Sequence, residues 1–457
     1  MKAYRTEKDS MGEIQVPEDA LYGAQTQRAV ENFTLSPLKM PVAFISALAQ
    51  IKAAAAQTNA ELGVLSKDEA QAIIKACDKI QKGHYRKHFP VDVFQTGSGT
   101  STNMNMNEVL ASLVQQDAGL TLHPNDHINL SQSSNDVIPS AIHLSALIQL
   151  DKTLLPALEH LRTRCSRKAV EVSEIIKTGR THLMDAVPMR MEDEVRAWGS
   201  QIRQAEQRLE SLRADLMKLP QGGTAIGSGL NAPRGFSRRF CTHLSNRTTY
   251  RLTPPDSHFA AQACQDTALA LSGQLKACAT ALLKIAEDLR WMNSGPFSGL
   301  GEIVLPALQP GSSIMPGKVN PVIPEAVIMA VAQINGNDAS ITFCAQRGNF
   351  QLNTMLPLIA YNLLQSQELL ANAAMALADK AIAGFSVNER HIEEALVRNP
   401  ILVTALNPVI GYELAAEIAK AAYASNRKVI DVAVEMTDIS RAELEKLLDP
   451  AVLAEHD

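Results

Sequence analysis

The segment Gly311-Ser312-Ser313-Ile314-Met315-Pro316-Gly317-Lys318-Val319-Asn320-Pro321 gathers two glycines, two hydroxyls, a cation and a carboxamide. Glycine lets backbone amides approach a ligand closely. Lys318 is a point charge suited to a small anion, and Asn320 can both donate and accept. A serine among such donors is drawn toward its oxyanion, because hydrogen bonds and positive charge favour the charged form. These residues predict a loop that closes over a small carboxylate and carries a base. An ordinary turn between two helices fits the same residues, since short motifs also match by chance.

Three more segments share this polar character. They are Thr96-Gly97-Ser98-Gly99-Thr100-Ser101-Thr102-Asn103, then His123-Pro124-Asn125-Asp126-His127 running on to Ser131-Gln132-Ser133-Ser134-Asn135-Asp136, and Gly179-Arg180-Thr181-His182-Leu183-Met184-Asp185. All are rich in neutral donors with few cations, which suits small carboxylates. No phosphate-binding loop is present for a polyphosphate. Each segment also has a plain structural reading. Ser98 and Thr100 could cap a helix beginning near Asn103, His182 could be a bonded core histidine, and Glu325 could complement a helix dipole after Pro324.

The elements that must position these residues are helices. Aromatic residues make up only 4% of the 457 residues, and alanine and leucine dominate long stretches, as suits helix over strand. Helical patterns run over 41–62, 138–176 (with Pro156 a kink or restart), 190–218, 258–292, 321–346 and 353–381. The stretch 321–346 is apolar nearly all round, which predicts burial in a bundle or an oligomer interface. The polar segments 94–107, 121–136, 177–188, 220–234 and 293–321 read as loops on that scaffold. From about residue 385 shorter helices are broken at Asn399-Pro400, Asn407-Pro408 and Gly411. The expected class is mainly α.

Bulk properties exclude several functions. The hydrophobic share of 46% and charged share of 20% are those of a soluble globular chain. A net charge of -5 without a long basic block argues against a nucleic-acid partner. The six cysteines form no Cys-x-x-Cys pair and read as buried free thiols. His84/His88 and His123/His127 have helical metal spacing, but no acid or cysteine nearby completes a set, so no metal is expected. The charged N-terminal residues and the lack of an 18-residue apolar run predict no signal peptide and no membrane partner, hence a cytoplasmic location.

Taken together in order, the motifs closely resemble the fumarase/aspartase superfamily, and within it the class II fumarases. The resemblance covers essentially the whole chain. It starts at Glu7-Lys8-Asp9-Ser10-Met11-Gly12, continues through Tyr22-Gly23-Ala24-Gln25-Thr26-Gln27-Arg28 and the four segments above, and reaches Thr404-Ala405-Leu406-Asn407-Pro408. It implies three domains, 1–132, 133–354 and 355–457, with a central long-helix bundle forming the core of a homotetramer. It also implies active sites shared between three subunits, no cofactor, and a place in the tricarboxylic acid cycle. The implied reaction is reversible anti addition of water to fumarate, giving malate. By motif, Ser312 is the base at C3, and Lys318 and Asn320 stabilise the developing charge. His182 acts through a water at C2, paired with Glu325. Ser98, Gly99, Thr100, Ser133, Ser134, Asn135 and Thr181, with Ser313, Lys318, Val319 and Asn320 of the loop, hold the substrate. His123, Pro124, Asn125 and Asp126 match a second dicarboxylate site.

Aspartate ammonia-lyase shares the scaffold and is the alternative. Ser133-Ser134-Asn135, Thr96-Gly97-Ser98-Gly99-Thr100 and His123-Pro124 look like fumarase, whereas Asn320-Pro321-Val322-Ile323-Pro324-Glu325 looks more like aspartase. Residues touching the leaving group outweigh that stretch, so fumarase is expected. Phe297, Met184, Val409 and Met191-Glu192-Asp193-Glu194 depart from the usual fumarase pattern, and Phe297 raises the question of packing beside the 311–321 loop.

Overall fold

Alanine- and leucine-rich windows this long form helix wherever one face can be buried. A computed structural model of the chain, describing residues 3–455, shows how far that holds. The N-terminus is a hairpin, β1 (Tyr4–Asp9) and β2 (Gly12–Pro17), followed by α1 (Ala24–Asn32), α2 (Val42–Glu61) and α3 (Lys67–Gln81). Next come α4 (Thr100–Ala118), α5 (Ser134–Gln149) and α6 (Leu155–Glu171). A second hairpin, β3 (Ile176–Thr181) and β4 (Met184–Arg190), leads into α7 (Met191–Ser211) and α8 (Arg213–Leu216). Then follow α9 (Phe236–Thr248), α10 (His258–Ala263), α11 (Asp266–Met292), α12 (Val322–Ala345) and α13 (Leu356–Lys380).

The expected helices are present with trimmed ends. Residues 134–171 are helical throughout, but Leu150–Leu154 form a π turn. Pro156 lies two residues beyond it, and its missing N–H and bulky ring disrupt the regular ladder there. The stretch 258–292 is two helices, separated at Cys264 and Gln265. The main departure is at 177–188, expected as a loop and found as a paired hairpin with a bulge between Thr178 and Arg180. Cys264 is exposed, contrary to the expectation that all six thiols are buried; the others are buried. Asn407-Pro408 does not break the chain's helicity, because proline is tolerated at a helix start and a short helix begins there.

Two compact units organise the described residues. Among them, one takes in 3–156, Ala205–Ala279 and Val331–Ala371; the other Ala157–Gln204, Thr280–Ala330 and 372–455. In the first, α2 is almost wholly enclosed, with Phe44, Ala47, Leu48, Ile51 and Ala53 to Ala55 at no exposure. Its partner α3 opens with a capping box in which Ser66 and Glu69 satisfy each other's backbone N–H. In the second, residues 402–448 form an apolar cluster of their own around Leu406, Ile418, Ala433 and Leu444. By length and apolar composition alone α11 could cross a membrane, but Leu271, Leu275, Leu282, Ile285 and Leu289 along it are fully buried in the fold.

Candidate active site

The first unit brings two helix N-termini to one cavity. Gly99 precedes α4 with φ +74°, a left-handed conformation that glycine adopts without strain. Gly97 lies so close to the start of α13 that a Cβ there would sit 1.8 Å from the Thr354 carbonyl oxygen. Its own carbonyl accepts from the Leu356 N–H at 3.0 Å. The turn is thus clamped, and α4 is capped not by Ser98 or Thr100 but by Gln95, whose Oε1 accepts from the Thr102 N–H at 2.9 Å. Ser98 and Thr100 bond each other through their hydroxyls at 2.8 Å instead, which removes the simple capping explanation.

At α5 the N-cap is Ser133. Its Oγ accepts from the Asn135 N–H at 3.2 Å, while Asp136 accepts from the Ser133 N–H at 2.9 Å. Asp136 also receives the amides of Gly222 and Thr224 at 2.9 Å each. Burial nonetheless pushes its carboxyl up to about 6. Asn135 donates to the Ala225 carbonyl at 2.7 Å. These bonds tie the glycine-rich 222–229 turn to the 133–136 turn.

The cavity between these turns has a volume of about 490 Å³ and is lined by Thr100, Ser133, Ser134 and Asn135, with Asn103, Asn129, Gln132, Thr224 and Asn231. None of its lining side chains is ionisable. Its polarity comes from hydroxyls, carboxamides and the positive ends of α4 and α5, the arrangement that favours a small anion. Ser98 and Gly99 are buried behind the wall rather than in it. Sequence reasoning missed Asn103, Asn129, Gln132, Thr224 and Asn231 as lining residues. Their signal was the polar density of 94–107 for Asn103, of 121–136 for Asn129 and Gln132, and of 220–234 for Thr224 and Asn231.

A larger cavity of about 730 Å³ is bordered by His123, Pro124 and Asn125. Of its two cations, Lys8 and Arg5, Arg5 is spent on the carbonyls of Pro17, Ala20 and Tyr22 and on Glu7. Glu7, Asp9, Glu18 and Glu108 line it too, so size alone does not make it the better anion site. Asp126 lies outside the lining; its backbone N–H donates to His123 Nδ1 at 3.2 Å. His127 accepts from the His123 N–H at 3.0 Å, so both imidazoles serve local turn geometry.

The second unit carries the remaining candidates. His182 and Leu183 form the two-residue tip of the β3–β4 hairpin, with φ of 56° and 61°. Positive φ at both central residues matches the twist of a two-residue hairpin, yet neither residue is a glycine. Such strain is kept where the surroundings enforce it, and it often marks function. His182 is exposed, not a core histidine. The hairpin is anchored by Lys177, whose buried ammonium pairs with Glu194 at 2.8 Å and Glu302 at 2.7 Å. Arg180 pairs with Glu302 at 2.7 Å. Although burial alone would raise it, Lys177 and Arg180 together hold the Glu302 carboxyl below its usual value.

The 311–320 loop is closed on itself. Gly311 donates to the Lys318 carbonyl at 2.8 Å, and Asn320 Nδ2 donates to the Gly311 carbonyl at 2.8 Å. Ser312 Oγ accepts two backbone amides, Ile314 at 3.2 Å and Met315 at 3.1 Å. Two donors on one hydroxyl oxygen favour its deprotonated form. Ser313, Lys318 and Val319 are exposed. Glu325 is exposed in the first turn of α12. Among the described residues neither His182 nor Glu325 makes a side-chain hydrogen bond or ion pair, so one chain does not join them. Phe297 is 97% exposed and packs against nothing beside the loop.

A family model described as Lyase matches residues 12–336, and one described as Fumarase C C-terminus matches 402–455. With the helical fold, these define a lyase of the fumarase/aspartase superfamily. The fumarate hydratase class II 2 of Pseudomonas aeruginosa is 58% identical over 98% of each chain. The fumarate hydratase class II of Xylella fastidiosa is 55% identical over 99% of this chain and 96% of its own. The crystal structure of a class II fumarase from Schistosoma mansoni superposes with a TM-score of 0.95 at 39% identity, covering 99% of each chain. The chain belongs to the class II fumarate hydratase family and is a hydro-lyase.

Proposed function

We propose that this enzyme interconverts fumarate and (S)-malate by anti addition and elimination of water, with Ser312 as the base. Starting from malate, the C3 proton passes to Ser312 Oγ. The electron pair moves onto the adjacent carboxylate, which takes a second negative charge as an aci-carboxylate. Lys318, Asn320 and the loop amides stabilise that charge, the kind of preorganised stabilisation that dominates such steps. The C2–O bond then breaks, and a water held by His182 and Glu325 supplies the proton with which hydroxide leaves as water. Ser98, Gly99, Thr100, Ser133, Ser134, Asn135 and Thr181 hold the carboxylates and the C2 hydroxyl.

The observation that carries this reading is the pair of amides on Ser312 Oγ. The neutral, helix-capped cavity of the first unit supports it as the place for the substrate carboxylates. Because one chain leaves His182 and Glu325 without partners, the reading includes a homotetramer whose sites combine residues from three subunits. An exposed stripe of Met329, Ala332, Gly336, Ala339 and Phe343 on α12 supports that assembly. Its spacing of three and four is that of a helix seam. The division into 1–132, 133–354 and 355–457, a cytoplasmic location, a role in the tricarboxylic acid cycle and a second dicarboxylate site at His123 to Asp126 belong to the same reading.

The test is absorbance from fumarate formed on adding malate, run beside an aspartate sample. Fumarate from malate alone is expected. Fumarate from aspartate alone would transfer the proposal to ammonia elimination, and activity on neither would point to a structural role.

A further inference from the structure

Lys52 is the one charged side chain between Val42 and Ala56, and it has no exposed surface. An ammonium so placed is costly unless it is bonded, and burial pushes it down to about 7. Its Nζ donates to Asn129 Oδ1 at 2.9 Å and to Gln132 Oε1 at 3.1 Å. No carboxylate among the described residues pairs with it directly. As an ammonium Lys52 has three donors and no acceptor, so both carboxamide oxygens must face it.

That constraint propagates. With Asn129 Oδ1 fixed, Asn103 must direct Nδ2 at it, at 3.1 Å, and the same Nδ2 donates to Ser134 Oγ at 3.0 Å. Turning the Asn103 amide over would set its carbonyl against the Asn129 oxygen. Ser134 Oγ is therefore an acceptor from inside the protein. No described residue accepts its proton, and Ser134 lines the 490 Å³ cavity. We infer that Lys52 is a positioning residue that sets the hydrogen-bond polarity of Asn129, Asn103 and Ser134, so that Ser134 presents a donor to a substrate carboxylate. Without Lys52, Asn129 is held only by its two longer bonds, Nδ2 to the Gln132 carbonyl at 3.3 Å and Oδ1 from Asn107 Nδ2 at 3.4 Å, and its amide can turn over together with that of Asn103. Ser134 could then donate to Asn103 and aim its lone pairs at the anion. The inference rests on the reading of this cavity as the dicarboxylate site.

The test uses the full chain with Lys52→Met, Ser134→Ala and the double variant. KM and kcat are measured with malate, and the Kd of succinate, a non-reacting four-carbon dicarboxylate, is measured by calorimetry. Lys52→Met should weaken succinate binding and raise KM by roughly 10- to 100-fold, the range for one hydrogen bond to a charged group. Turnover at saturation should stay within roughly threefold, since the lost bond acts on bound substrate and transition state alike. Ser134→Ala should weaken binding comparably, and the double variant no further, because both lose the same donor. Succinate binding unchanged in Lys52→Met would overturn the inference, as would losses that multiply in the double variant. A merely structural lysine would lower stability without that coupling. If Lys52→Met does not fold, Asn129→Leu breaks the chain one link later and enters the same cycle. Failure of wild-type malate turnover would sink the functional reading by itself, while the succinate comparison still decides the role of Lys52.

Discussion

Ser312 and Lys52 show two ways in which one polar side chain is tuned by its neighbours. Ser312 is held by two amides of its own turn, so its environment is written in eleven consecutive residues and was legible. Lys52 acts through Asn129 and Asn103, which lie 77 and 51 positions away, and an alanine-rich helix gave no hint of their meeting. The same distinction holds at Gly97. Its place in a polar turn could be read, but its approach to Thr354 could not, because that contact spans more than 250 residues. Gly97→Ala should therefore cost on the order of 3 kcal/mol or more, since the Cβ meets backbone rather than a side chain that can yield. Thermal unfolding measures it. A melting temperature within error of wild type would show that the 96–100 turn can shift without cost.

At the scale of elements, the long helices were legible from composition and period, and the β3–β4 hairpin was not. Its strands alternate poorly, its tip is His182-Leu183 in place of a glycine pair, and its density of Gly, Thr and His resembles a loop. What makes it a hairpin is tertiary: the cluster in which Glu194 and Glu302 hold Lys177 and Arg180 of its first strand. Glu302→Gln should cost about 3–5 kcal/mol, the range for breaking a buried pair and leaving its partners unpaired. The pH dependence follows from the lowered folded value of Glu302. Above the unfolded value of 4.5 the group contributes its full stabilisation, and this is lost as pH falls through the folded value. In Glu302→Gln that part of the acid limb should flatten in a melting-temperature series from pH 7 down to 3. An unchanged limb would mean that the cluster does not stabilise the fold by charge. His182 rides on the tip, so malate turnover should fall in the same variant.

The whole molecule is where a single chain is least complete. The α12 stripe exposes Met329 at 68% and Phe343 at 56%, apolar surface that a monomer has no reason to present in register. The sequence suggested burial of this helix in a bundle or an oligomer interface because it is apolar nearly all round, and the fold leaves this seam exposed. Met329→Glu should shift the assembly toward smaller species in light scattering and lower activity with it. A tetramer of wild-type size and turnover would remove that seam from the assembly. The polar turns were legible as motifs, and a site shared between subunits was expected from the resemblance, whereas Asn129 and Thr224 in the cavity wall could not be picked out because their meeting spans distant parts of the chain. The central claim remains the base on the 311–321 loop, and Ser312→Ala tests it most directly. Malate turnover and succinate affinity are measured on the same preparation. Turnover should fall by roughly a thousandfold or more, the scale on which loss of one catalytic group falls, with assembly size and succinate Kd unchanged. Turnover near wild type would contradict it.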